Sequence, residues 1–282
     1  MMDMSSHYVT VLERELHYTE WGSGNAATIV MWHGLARTGR DFDDLAAALA
    51  QRYRVICPDT IGRGLSQWSP QPDAEYCLAF YARLAASFCD ALGIARMHWV
   101  GTSMGGAIGI KLASRRGGAL AGRIDKLVLN DNGPQLAQAA IERIRTYAGN
   151  PASFARVSEL EAYFRKVYAP YGMLTGREWT KLTETSVRRL PDGRVTPHYD
   201  PNMVRQFVNF PHDYDLWEEY DALDIPLLCL RGADSDLLLA ETAQAMRERG
   251  PRARVVEIAG CGHAPALNVP QQIDLVEKFL GA

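Results

Sequence analysis

The stretch Met97-His98-Trp99-Val100-Gly101-Thr102-Ser103-Met104-Gly105-Gly106-Ala107-Ile108 runs from a short apolar segment through Gly-x-Ser-x-Gly into small and apolar residues. The pattern predicts a strand, a sharp turn and a helix, with Ser103 at the tip of the turn. A serine so placed is held in a strained backbone conformation. Its hydroxyl stands clear of the sheet, and the positive end of the helix points at whatever the hydroxyl attacks. Gly101 and Gly105 fit because strand and helix pass too close to the serine for a Cβ. A bare Gly-x-Ser-x-Gly arises by chance in roughly one chain in ten of this size, so its meaning depends on partners elsewhere.

Outward from the serine, buried strand patterns recur. Thr28-Ile29-Val30-Met31-Trp32 is a continuous apolar run ending in His33-Gly34-Leu35. Tyr53–Cys57 closes on Pro58-Asp59, Lys126–Asn130 closes on Asp131-Asn132-Gly133-Pro134, and two more runs follow at Ile225–Gly232 and Arg254–Ile258. Such runs suit strands covered on both faces. Helical spacing over 41–51, 76–92 and 274–280 lies among them, and Tyr8–Leu12 and Glu15–Glu20 alternate like an edge hairpin. The alternation predicts an α/β class, with a mostly parallel eight-stranded sheet and helices on both faces. Sites in such sheets lie at the carboxyl ends of the strands. His33, Ser103, Asp131, Asp236 and His263 all follow expected strand ends.

Residues 135–219 break the pattern. They hold no buried strand run, three helix-like pieces (137–147, 157–167, 177–188), turn-rich Leu190-Pro191-Asp192-Gly193-Arg194 and many aromatics. This segment is expected to be a helical cap inserted after the sixth strand, over a core of 1–134 and 220–282. Arg37, Arg63 and Trp32 in the core, and Tyr147, Tyr168, Tyr171 and Trp217 toward the insert, are candidates to line a pocket. Each is individually more simply read as packing or surface.

A nucleophilic serine needs a base within reach and a group that orients the base. His263, in Gly260-Cys261-Gly262-His263-Ala264-Pro265 after the last strand, is the expected base; the alternative is a surface-loop histidine. Three aspartates compete for the orienting role. Asp236 is favoured because the apolar run behind it would seat it against the core, with Asp234 and Asp131 as alternatives. The tetrahedral oxygen needs backbone N–H donors. Met104, directly after the serine, and Leu35, in the loop after the first parallel strand, are expected to supply them. His33 is expected to hold that loop.

Composition sets the bounds. The chain has 282 residues, 47% hydrophobic and 22% charged, with a formal net charge of -3. That is enough for one large domain with an insertion and offers no basic cluster for nucleic acid. The start, Met1–His7, lacks a basic segment followed by an apolar one, and no 18-residue apolar window exists. Five cysteines, without Cys-x-x-Cys spacing, are expected to be reduced, which suits the cytoplasm. No metal-ligand spacing is evident, and no metal or organic cofactor is expected. The expected partner is a small-molecule ester; neither nucleic acid nor membrane is expected, and a homodimer is left open.

The order Ser103, Asp236, His263 resembles the α/β-hydrolase superfamily, whose triads run nucleophile, acid, histidine. His33-Gly34, Asp59 with Gly62-Arg63-Gly64-Leu65-Ser66, the Ser103 turn and Gly260-Cys261-Gly262-His263 all look like its signatures, and they cover the chain outside the insert. Many members carry the acid at the position held here by Ser235; the resemblance to a subgroup with Ser-Asp-Leu-Leu moves it to Asp236. The resemblance implies an α/β-hydrolase fold, an oxyanion hole at Leu35 and Met104, and a serine hydrolase cleaving esters; the aromatic-rich insert suggests small to medium, partly apolar substrates. The same triad serves carbon–carbon bond hydrolases of the meta-cleavage type, lactonases and amidases, which are the alternative activities. A non-catalytic receptor on the same fold is a third.

Overall fold

The computed structural model describes residues 4–281. The strands are β1 (Met4–Val11), β2 (Arg14–Trp21), β3 (Thr28–Trp32), β4 (Arg54–Pro58), β5 (Met97–Thr102), β6 (Ile124–Asn130), β7 (Val187–Arg189), β8 (Val195–Pro197), β9 (Leu227–Gly232) and β10 (Arg254–Ile258). Eight of them form one sheet in the order β1-β2-β4-β3-β5-β6-β9-β10. β2 runs antiparallel to both β1 and β4. The remaining pairings, from β4 across to β10, are parallel.

The helices are α1 (Asp43–Leu49), α2 (Pro72–Glu75), α3 (Leu78–Ala91) and α4 (Met104–Ala113), followed between β6 and β9 by α5 (Gln138–Ala148), α6 (Val157–Val167), α7 (Gly176–Glu184), α8 (Gln206–Asn209) and α9 (Trp217–Asp221). α10 (Ala240–Glu248) and α11 (Pro270–Leu280) return to the core. Alternate residues of each strand feed opposite layers. Val30, Trp32, Trp99, Leu127 and Leu129 pack with α3 and α4. Ile29, Met31, Val100, Val128 and Leu230 pack with α1 and α11. The period of two, with both faces apolar, is why these strands read as unbroken hydrophobic runs.

Between β6 and β9 a separate apolar cluster is built on Leu160, Phe164, Trp179, Leu182 and Val195. One element there departs from expectation. The helix read over 177–188 stops at Glu184, and Val187–Arg189 pairs antiparallel with Val195–Pro197. The Leu190–Arg194 turn closes this hairpin, with Gly193 at φ 85° and the Leu190 amide donating to the Arg194 carbonyl at 2.8 Å. Strands of three residues are too short to show an alternation.

Backbone hydrogen bonds join the segment between β6 and β9 to loops that leave the carboxyl ends of the sheet. Gly64 N–H, after β4, donates to the His198 carbonyl at 3.0 Å, and Gly262 N–H, after β10, donates to the Pro170 carbonyl at 2.7 Å. No helix among the described residues is long and apolar enough to cross a membrane.

Candidate active site

Ser103 stands between β5 and α4 with φ 51° and ψ -117°. The strain is locked in by crowding. A Cβ on Gly101 would lie 2.3 Å from the Gly105 carbonyl carbon, and one on Gly105 would lie 1.9 Å from the Trp32 carbonyl oxygen. Only glycine at both positions lets strand, turn and helix pack together.

His263 lies in the loop after β10. Its Nδ1 faces Asp131 Oδ2 at 2.7 Å. Asp131 follows β6, is fully buried, and adopts φ 51°. Its other oxygen accepts from the Gly232 amide at 2.8 Å, and Oδ2 also accepts from the Ser235 hydroxyl at 2.6 Å. An amide, a hydroxyl and an imidazole N–H thus stand in for the water this buried carboxylate has lost. With Nδ1 committed to Asp131, Nε2 is the nitrogen left for a proton from Ser103. The two side chains are not hydrogen-bonded to each other here; such contacts are often long before substrate arrives.

Asp236, the expected acid, is therefore corrected. It is exposed and pairs with Arg143 of α5 at 2.7 Å. The residue seated against the core in that loop is Ser235, whose oxygen accepts from the Leu237 and Leu238 amides at 3.2 and 3.1 Å. The apolar run thus anchors the serine and turns Asp236 outward. Asp234 is exposed too, its amide donating to the Cys261 carbonyl. Sequence reasoning leaves Ser235 out of the site; its signal is a small hydroxyl at the position where the resemblance places a carboxylate.

The loop after β3 carries Leu35. Its amide and that of Met104, the first residue of α4, have no hydrogen-bond partner among the described residues. His33 fixes the loop: Nδ1–H donates to the Gly34 carbonyl at 2.6 Å, and Nε2 accepts from the Thr60 amide at 2.9 Å. Full burial drives its pKa down to about 4, so it is a neutral clip. Arg63 is buried behind the same loop, Nε donating to the Leu35 carbonyl at 2.8 Å. Asp59 ties the neighbouring loops, accepting from Gly39 N–H at 2.7 Å and Leu65 N–H at 3.0 Å.

Of the pocket candidates, Trp32 stacks on Trp99 at 5.4 Å inside the core, and Trp217 donates to Gln135 under the Arg249 guanidinium. Both are packing residues. Arg37, Tyr168 and Tyr171 instead gather beside the Leu35 and His263 loops, with the Arg37 guanidinium 4.7 Å from the Tyr168 ring centre.

The family described as alpha/beta hydrolase fold matches residues 27–268. The chain is an α/β-hydrolase. Among curated relatives of this hydrolase is the 3-hydroxybutyrate-oligomer hydrolase of Cupriavidus necator, 39% identical over 272 residues, covering 93% of this chain and 91% of that one. A solved α/β hydrolase from Novosphingobium aromaticivorans is 31% identical, with a TM-score of 0.88 and 99% of both chains covered. The enol-lactonase from Burkholderia xenovorans LB400 shares the fold, with a TM-score of 0.75, 24% identity and coverage of 98% of this chain and all of that one (100%).

Proposed function

We propose that this α/β-hydrolase cleaves carboxylic esters through an acyl-enzyme on Ser103, and that its substrates are short oligoesters of hydroxy acids. The observation that carries the chemistry is the contact of His263 Nδ1 with buried Asp131 at 2.7 Å, beside a serine held at positive φ. The substrate class is supported by the 39% identity to a 3-hydroxybutyrate-oligomer hydrolase across nearly the whole chain.

In this reading His263 Nε2 takes the Ser103 proton as the oxygen attacks the ester carbonyl. Leu35 and Met104 amides bind the resulting oxyanion, each such donor contributing about 3 kcal/mol. The imidazolium, stabilised by Asp131, passes its proton to the departing alkoxide. Water, deprotonated by His263, then releases the acid and restores Ser103. The insert, 135–219, serves as the cap that covers the reacting carbonyl. All five cysteines are free and buried, which fits a cytoplasmic enzyme.

Release of acid from a 3-hydroxybutyrate dimer and of nitrophenol from p-nitrophenyl butyrate tests the reading. Ser103→Ala is expected to lower kcat by about 10,000-fold or more on both. Equal turnover by the variant overturns it.

A further inference from the structure

Arg37 lies two residues beyond Leu35, its amide closing a tight turn on the Gly34 carbonyl at 3.2 Å. Its side chain is 4% exposed. Nε and Nη2 donate to Asp41 at 2.8 and 2.5 Å, while Nη1 has no partner. A buried guanidinium donor left unpaired is costly, because it has lost water and gained no acceptor. The pair with Asp41 takes the Nε–Nη2 edge and the Tyr168 ring takes one face, and neither uses Nη1.

The surroundings point the same way. Tyr168, under the guanidinium, packs against Tyr171 at 5.0 Å. Their turn is tied to the base loop through Gly262 N–H on Pro170 and Cys261 Sγ–H on the Tyr171 carbonyl. Arg37 is thus held between the loop that carries the Leu35 amide and the loop that carries His263. The hydroxyls of Tyr147, Tyr171 and Tyr199 have no hydrogen-bond partner among the described residues. All three lie within electrostatic reach of Arg37, and burial holds them protonated as donors. A cleft opens at Tyr171, with Thr102 and Pro265 on its wall and the charges of Arg40, Lys181, Asp41, Asp44 and Glu178 around it. One free cationic edge and several free phenol donors, with Asp41 confined to the opposite edge of the guanidinium, call for an anion rich in acceptor oxygens.

We propose that the Nη1 edge of Arg37, with the Tyr171 hydroxyl, receives a free carboxylate of the substrate, so that the enzyme selects esters carrying an acid close to the scissile bond. A hydroxy-acid dimer has this layout: the departing alcohol bears a carboxylate two carbons from the ester oxygen. The inference rests on the ester-hydrolase reading and makes Arg37 a specificity residue within it. Nη1 is covered in this structure, so the proposal requires the Tyr168–Tyr171 turn to move aside as the carboxylate enters.

Calorimetric titration of Ser103→Ala with the 3-hydroxybutyrate dimer and with the methyl ester of that dimer tests the proposal. The acid is expected to bind about tenfold more tightly than the methyl ester, one charge-assisted contact's worth. In Ser103→Ala/Arg37→Gln the two should bind equally, and Arg37→Lys should restore part of the preference. Tyr171→Phe, which keeps the packing, should reduce the preference about threefold and stands in if the Arg37 variants do not fold. Equal binding of acid and methyl ester by Ser103→Ala, or a preference that survives Arg37→Gln, overturns the carboxylate site. Selective binding of the acid without its turnover by the wild type would sink the oligoester reading and leave this site standing.

Discussion

Two loops leave neighbouring strands of the sheet and treat their aspartates in opposite ways. After β6, Asp131 is buried, bent into positive φ, and shared among the Gly232 amide, the Ser235 hydroxyl and His263. After β9, Asp236 is exposed and paired with Arg143 on the surface. β6 and β9 are hydrogen-bonded neighbours, so either loop could reach the imidazole. What separates them is solvation. The buried carboxylate has no water to fall back on and depends on directed donors. The exposed one is hydrated and gains about 0–1 kcal/mol from its partner.

Replacing the buried acid is the strongest way to break this contrast. Asp131→Asn is expected to lower kcat by about 1,000- to 10,000-fold, because the amide favours the wrong tautomer of His263. Circular dichroism should show the fold retained. A loss below tenfold would mean that the imidazole is oriented by something else.

A second test sets the charged clip of the β6 loop against the uncharged clip of the β3 loop. His33 is buried neutral, with its pKa depressed to about 4 from an ordinary 6.5. Below pH 6.5 the unfolded chain takes up a proton that the folded chain refuses until about pH 4. Stability is therefore lost as pH falls through that window, by about 3 kcal/mol in total, and is flat for this group above it. Urea unfolding at pH 7 and pH 4 should show a larger decrement in the wild type than in His33→Gln. Equal decrements would place the acid sensitivity elsewhere.

The finest contrast lies inside the β9 loop itself. Ser235→Ala removes one donor from Asp131 and should lower kcat about tenfold, the value of one hydrogen bond to a charged group. Asp236→Asn, its neighbour, should leave kcat within about twofold and stability within about 0.5 kcal/mol. Reversal of that ranking would restore the acid to Asp236.

The same two loops explain what could be read in advance. Ser103 and His263 were legible because glycines on either side mark backbone that must turn or pass closely. The sheet was legible because runs such as Thr28–Trp32 and Lys126–Asn130 have no polar face. The acid was not, because Leu237-Leu238-Leu239 anchors whichever small polar residue precedes it, and sequence does not say which side chain then turns inward. It turned out to be Ser235, through hydrogen bonds to the Leu237 and Leu238 amides. Asp131 carried its own clue, a short polar residue tolerant of positive φ at a strand end, but asparagine-like turns use the same clue. In the insert, the periodic pattern over 157–167 gave the α6 span, whereas the β7–β8 hairpin lay below the length at which any period shows.

The amide of Gly262, seated on the carbonyl of Pro170, sits one residue from the imidazole. On the proposed mechanism this bond would stitch a roof to the arm that shuttles the proton. Were the roof to swing aside for a guest, the arm would be pulled with it, and entry would be coupled to readiness to react.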